Sequence, residues 1–117
     1  MTVMADHDAI YQILYNITDN AVKFSRERGA LRVSIVAIKD NRVQVSVYNE
    51  GEGIAPEDVP FVFERFYKGD KSRGLDKSGV GLGMFISKTI MDAHHEKIWV
   101  RSEQGSFCEF NFTLTLA

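Results

Sequence analysis

The chain has 117 residues, 44% hydrophobic and 26% charged, with a formal net charge of -2. That length suits one domain around one core, and its interleaved acids and bases exclude the basic stripe of a nucleic-acid binder. Cys108 is the only cysteine, which excludes an internal disulfide and a Cys-based zinc site.

No apolar run approaches the ~20 residues needed to span a bilayer. Met1 to Asp6 has neither the basic nor the apolar region of a secretory signal, so a soluble, cytoplasmic chain is expected. Asp6 is a candidate N-cap with Asp8 in the first turn. Ile10, Ile13, Leu14, Ile17, Ala21 and Phe24 then recur at three- and four-residue steps, which predicts an amphipathic helix running to about Arg26 or Arg28 and closed by Gly29. The period next changes to two. Leu31, Val33, Ile35 and Ala37, then Val43, Val45 and Val47, predict an antiparallel hairpin turning at Asp40-Asn41.

Pro56-Glu57-Asp58 reads as the first turn of a short helix. Residues 70–79 are polar with no apolar period, a loop long enough to have a job. Leu82, Ile86, Ile90 and Ala93 predict a second long helix, and Lys97 to Ser102 and Phe107 to Leu116 a closing pair of strands. The order of elements predicts an α+β fold, a two-layer sandwich whose mixed, mostly antiparallel sheet carries helices on one face.

Three clusters could carry chemistry. Asn16, Asn20 and Lys23 are spaced by four and three, so they share one helix face. Asparagine is an indifferent helix former, and an amide oxygen is a hard ligand suited to Mg²⁺ with phosphates beside it; a plain solvated face is the competing reading. Asn49-Glu50-Gly51-Glu52-Gly53-Ile54 follows a strand, and its alternate glycines permit a sharp turn and the close approach of a flat ring. Gly79-Val80-Gly81-Leu82-Gly83 opens a helix, where unpaired amides and the dipole attract an anion. The P-loop and dinucleotide-binding glycine patterns are both absent.

Each cluster alone is weak, but their order is specific. Asn16 to Phe24 resembles the N box of histidine kinases, Asn49 to Ile54 the G1 box, Val62-Phe63-Glu64-Arg65-Phe66-Tyr67 the F box, and Gly79 to Gly83 the G2 box. From about Met4 to Leu116 the chain resembles the catalytic ATP-binding domain of bacterial sensor histidine kinases, within the Bergerat-fold ATPases.

That resemblance implies roles. Asn20 would ligate Mg²⁺, Asn16 would support the phosphates or metal waters, Lys23 would pair with phosphate and Phe24 would wall the nucleotide. Asn49, Gly51, Gly53 and Ile54 would form the adenine slot. Phe63 and Phe66 would anchor an ATP lid spanning roughly residues 67–78, with Lys68 touching phosphate. Gly79 would open the phosphate-binding segment, and backbone amides of Gly81, Leu82 and Gly83 would cradle the phosphates.

The implied reaction is transfer of the ATP γ-phosphoryl group to a histidine on a separate dimerisation domain of the same kinase. A response regulator would then take it, and the parent sensor would be membrane-anchored. Asn16 stands where hydrolysing relatives of this fold place a glutamate, and asparagine cannot act as a general base. His7 and His94 lack the surroundings of a phosphoacceptor.

The chain departs from the pattern at Asn49, where the family usually has an aspartate. It departs again at His95, where a helix-ending glycine is usual and a positive φ is expected. It is also expected to lack a strand and helix that precede the N box. A degenerate nucleotide-binding or regulatory module acting through protein contacts, anti-sigma-like or pseudokinase, stays open as the alternative.

Overall fold

The computed structural model describes residues 3–64 and 83–117, apart from the side chains of Lys23 and Phe24. In chain order these form β1 (Val3–Met4), α1 (His7–Phe24), β2 (Leu31–Ile38), β3 (Arg42–Glu50), a 3-10 turn (Val59–Phe61), α2 (Gly83–Ala93), β4 (Ile98–Glu103) and β5 (Phe107–Leu116). The loop predicted over residues 70–79 lies outside the described residues.

Asp6 caps α1 as its sequence position suggests, accepting from the amides of Asp8 at 2.9 Å and Ala9 at 3.2 Å. The helix stops at Phe24, short of the predicted Arg26 or Arg28, because tertiary partners claim the next residues. Ser25 is extended, with φ -73° and ψ 147°, and forms an isolated bridge to Gly51. The Arg26 N–H then donates to the Glu50 carbonyl at 2.9 Å. The left-handed residue of this connection is Arg28, at φ 64°, rather than Gly29. Gly29 is required by crowding, since a Cβ there would lie 2.9 Å from the Glu50 carbonyl.

The sheet has five strands among the described residues, ordered β2-β3-β5, with β4 and β1 both pairing along the far edge of β5. Every described pairing is antiparallel, where a mixed, mostly antiparallel sheet was expected. The β2–β3 turn sits where predicted, with Asp40 and Asn41 at φ 65° and 60°, a conformation that Asp and Asn tolerate better than most residues. The short helical segment is Val59–Phe61, just after the predicted Pro56-Glu57-Asp58, which forms the turn leading into it.

Both helices lie on one face of the sheet. Ile13, Ile17 and Ala21 of α1 are buried against Val43, Val45 and Val47 of β3 and Phe110, Phe112 and Leu114 of β5. The face of α2 differs from the predicted Leu82, Ile86, Ile90 and Ala93 stripe. Met84, Ser87 and Met91 are the buried residues, while Ile86 and Ile90 are half-buried and Ala93 is exposed; Leu82 lies outside the described residues. Periodicity alone cannot choose between adjacent stripes when isoleucine and methionine alternate around a short helix.

His95 takes the positive φ expected of it, at 58°, the left-handed conformation that usually falls to glycine after a helix. Beside it, His94 joins the two helices. Its Nδ1 donates to the Ile90 carbonyl at 2.9 Å, and its Nε2 accepts the Asp6 N–H at 3.3 Å.

The chain then enters the sheet through Glu96, which is 8% exposed. The Thr113 and Thr115 hydroxyls each donate to its carboxylate at 2.7 Å. Arg42 Nε lies 3.2 Å from Glu96 Oε1, an ion pair by distance whose alignment falls short of a hydrogen bond. Glu96 thus ties the end of α2 to the β3 and β5 ends.

β2 is the exception to the core pattern. All eight of its residues are exposed, although Leu31, Val33, Ile35 and Ala37 keep the alternation that predicted the strand. The strand is an edge, with no helix above it among the described residues.

Glu96→Ala removes the acceptor of the buried Thr113 hydroxyl and the half-buried Thr115 hydroxyl, and the partner of Arg42. Because Arg42 still reaches water, the expected loss is about 2–3 kcal/mol, read from the midpoint of urea unfolding at constant slope. An unchanged midpoint would show that the network is ornamental.

Candidate functional site

Of the polar residues predicted on one face of α1, Asn16 comes to face the start of α2. Asn16 Nδ2 donates to the Gly83 carbonyl at 3.2 Å and to the Ser87 hydroxyl at 3.4 Å, and Ser87 itself donates to the Gly83 carbonyl at 3.0 Å. A carbonyl can only accept, so this contact identifies which end of the Asn16 amide is nitrogen. Its oxygen is left for another partner. Asn20 is half-buried one turn further along the same face. A Cβ at Gly83 would make ordinary contact with the Asn16 side chain at 3.7 Å, so this contact does not by itself demand glycine.

The glycine segment after β3 is fastened to the β4–β5 hairpin. Gly51 N–H donates to the Ser106 carbonyl at 3.1 Å, and Gly105 N–H to the Glu52 carbonyl at 2.6 Å. Gly53 has φ 67°, and a Cβ on it would fall 2.5 Å from the Glu103 carbonyl oxygen. Glycine is therefore demanded at 53 by this chain's own backbone, whatever ring lies against the segment. The Ile54 N–H donates to Ser102 Oγ at 2.7 Å, and Ser102 donates in turn to the Phe107 carbonyl at 3.0 Å. Ile54 packs on the edge of the core.

Asn49, at the end of β3 before this segment, is 1% exposed, and its Nδ2 has no hydrogen-bond partner among the described residues. Its neighbour Glu50 turns the other way, as strand alternation requires. Glu50 Oε1 accepts the Ala30 N–H at 2.7 Å, and Oε2 lies 3.9 Å from Arg26. Across the strands, Asn49 pairs in register with Cys108. Burial pushes the Cys108 thiol up to about 12, against a lowering hydrogen bond from Ser102.

The sequence-predicted site residues thus fall into three groups. Asn16 and Gly83 meet at the α1–α2 contact, with Asn20 one turn further along α1, while Asn49, Gly51, Gly53 and Ile54 lie at the end of β3. Phe66, Lys68, Gly79, Gly81, Leu82 and the proposed lid lie outside the described residues, as do the side chains of Lys23 and Phe24. Phe63, expected to anchor the lid, packs edge-on against Phe110 at 6.2 Å between ring centres. Sequence reasoning missed Ser87 and Ser102. Both are polar residues at inward positions of otherwise apolar stripes, which was the available signal.

A helix pair over one face of an antiparallel sheet, with Asn16 of α1 bonded to the start of α2 and a glycine segment fastened at the end of β3, is the α+β frame that the described residues build. The chain belongs to the histidine kinase-, DNA gyrase B- and HSP90-like ATPase family, whose profile matches residues 5–117. Within it, the chain is similar to sensor histidine kinases. It is 42% identical over 113 residues to the sensor histidine kinase WalK of Bacillus subtilis, covering 96% of this chain and 18% of that protein. It is 38% identical over 112 residues to the adaptive-response sensory kinase SasA of Crocosphaera subtropica, covering 96% and 29%.

Among solved structures, a mycobacterial sensor histidine kinase, MprB, matches with a TM-score of 0.85 at 27% identity, over 96% of this chain and 75% of that one. Full-length ShkA in complex with AMPPNP matches with a TM-score of 0.83 at 34% identity, over 98% and 23%. The resemblance drawn from the four boxes is therefore borne out, as is the fold class.

The Asn16–Gly83–Ser87 contact generates a prediction. Ser87→Ala and Asn16→Ala should each cost about 1 kcal/mol. In a double-mutant cycle on urea unfolding they should couple by at least ~0.5 kcal/mol. Strict additivity would show that the amide and hydroxyl do not act as one clamp.

Proposed function

We propose that this domain binds Mg-ATP between α1, the glycine segment and the start of α2, and donates the γ-phosphoryl group to a histidine on a separate dimerisation domain. Membership of the ATPase family and the likeness to sensor histidine kinases support the nucleotide and the kinase class. The chain covers 18% and 29% of those two relatives, so the acceptor histidine, the response regulator downstream and a membrane-anchored parent belong to the proposal.

The observation that carries transfer over hydrolysis is Asn16. Its amide nitrogen is committed to Gly83 and Ser87, and the residue offers no basic group to activate water. In this reading Asn20 offers its side-chain oxygen to Mg²⁺, and the Asn16 oxygen faces phosphate or a metal-bound water. Lys23 and Lys68 supply positive charge, Phe24 and Phe66 enclose the nucleotide, and the backbone from Gly79 through Gly81, Leu82 and Gly83 holds the phosphates. The residues fit the metal, since neutral amide oxygens beside phosphates suit a cation that keeps much of its water. Bound Mg²⁺ would neutralise phosphate charge, and the protein's own contribution would be positioning rather than acid–base work.

The uncovered side supports a further strand and helix before β1. Leu31, Val33 and Ile35 on β2 are exposed, as are Tyr11, Tyr15 and Val22 on α1. At 100° per residue, Leu14 and Tyr11 lie on the side of α1 opposite Asn16 and α2. A strand pairing along β2 with a helix above it would bury both rows, and an open apolar edge is otherwise an invitation to aggregate.

Two experiments test these readings. Incubation with labelled ATP should label a supplied dimerisation domain in an acid-labile bond and leave this chain unlabelled. Asn20→Ala should weaken Mg-ATP binding by roughly 10–100-fold, equivalent to one lost contact to a charged group. Unchanged affinity in a folded variant would remove Asn20 from the site. For the edge, a longer chain carrying the preceding residues of the parent protein should slow amide exchange along β2. Equal exchange rates in the two would count against a strand at that edge.

A further inference from the structure

We propose that the base end of this site accepts purines carrying either a 6-amino or a 6-oxo group, so that inosine and guanosine triphosphates are ligands alongside ATP. The inference rests on the nucleotide reading above, with Asn49 as the residue that meets the base.

It begins from an unpaired atom. Asn49 is 1% exposed, and its Nδ2 is one of two buried side-chain polar atoms without a hydrogen-bond partner among the described residues. The other, Arg42 Nε, has a carboxylate oxygen 3.2 Å away. Asn49 has no such neighbour. A buried donor with nothing to donate to is costly, and in a folded domain it calls for an explanation; a ligand that supplies the missing partner is one.

Among the described residues, the carboxylates that neighbour Asn49 in the ladder lie on the other face of the sheet. Glu50 points to the opposite face and is taken by Ala30 and Arg26. Glu109 and Glu103 alternate onto that opposite face as well, with Glu109 accepting from Arg101 at 3.2 Å. The cross-strand neighbour Cys108 is buried with its thiol pushed up to about 12, so it stays protonated at neutral pH. Ser102 is occupied by Ile54 and Phe107. The reader of the base edge is therefore a neutral amide.

A carboxylate in that position could only accept, and would favour a 6-amino group while repelling a 6-oxo group. An amide carries both a carbonyl and an NH₂, and a half-turn of its terminal torsion exchanges them. Its carbonyl meets the 6-amino group of adenine. Its NH₂ meets the 6-oxo group of hypoxanthine or guanine. Neither contact has the charge assistance that would separate them.

The test is calorimetric titration of the chain with ATP and ITP in the presence of Mg²⁺, repeated with Asn49→Asp. ITP exchanges the 6-amino for a 6-oxo group without adding the 2-amino group of guanine; GTP follows as a third ligand. Expected is an ITP dissociation constant within about threefold of that for ATP in this chain, and at least about tenfold weaker than ATP in Asn49→Asp.

The same ATP-over-ITP ratio in both proteins would overturn the proposal, and so would a tenfold preference for ATP in the native chain. Should Asn49→Asp fail to fold, Asn49→Ala serves. It should weaken both ligands together, and loss of ATP binding alone would overturn the proposal. If neither nucleotide bound the native chain, the nucleotide-site reading itself would fall, an outcome distinct from binding with strict adenine selectivity.

Discussion

The pairing of β3 with β5 is the constraint on which the rest of this domain hangs. Their register runs unbroken from Arg42 opposite Thr115 to Glu50 opposite Phe107. It sends Val43, Val45 and Val47 to the helix side together with Leu114, Phe112 and Phe110. A slip of one residue in either strand would turn that strand's row outward. The same register delivers Asn49 and Cys108 side by side at the far end of that face. The core and the site wall are consecutive stretches of one ladder, so stability and function are not separable there.

The site is assembled from contacts that do structural work first. Gly53 is glycine because β4 leaves no room for a Cβ, and Ile54 is held by Ser102. Asn16 spends its amide nitrogen on the start of α2. This commitment explains how a polar side chain is tolerated beside the core, since buried polar groups need partners. It also fixes α1 and α2 relative to each other, and with them any ligand group shared between Asn20 and the start of α2. Glu96 and His94 secure the opposite end of the same helix pair, one through the threonines of β5 and the other through the N-cap of α1.

The open edge contrasts with this economy. β2 is as apolar as the strands beside it, yet nothing covers it among the described residues. Apolar sequence drives burial only where another element is available to exclude water. With the sheet's helices seated over β3 and β5, the edge strand keeps its pairing and loses its shelter.

Much of this was legible in the chain itself. The three- and four-residue steps of Ile13, Ile17 and Ala21 dictated α1 and its buried face, because helix geometry places those positions in line. The two-residue steps of β3 and β5 dictated strands, and Asp40-Asn41 their turn. The order of the asparagine, glycine and phenylalanine clusters was specific enough to indicate the family.

Other features depended on partners distant in sequence. The end of α1 was set by competition from Glu50 and Gly51 for Ser25 and Arg26. Burial of Met84 and Met91 over Ile86 and Ile90 was decided by how α2 docks, since several stripes of that helix are apolar enough to serve. Exposure of β2 was invisible to periodicity, which reports alternation and not whether a layer lies above it. The neutral state of the wall around Asn49 was likewise tertiary. Only the fold turns Glu50 away and buries Cys108, because strand alternation and burial decide which of two adjacent polar residues faces the site.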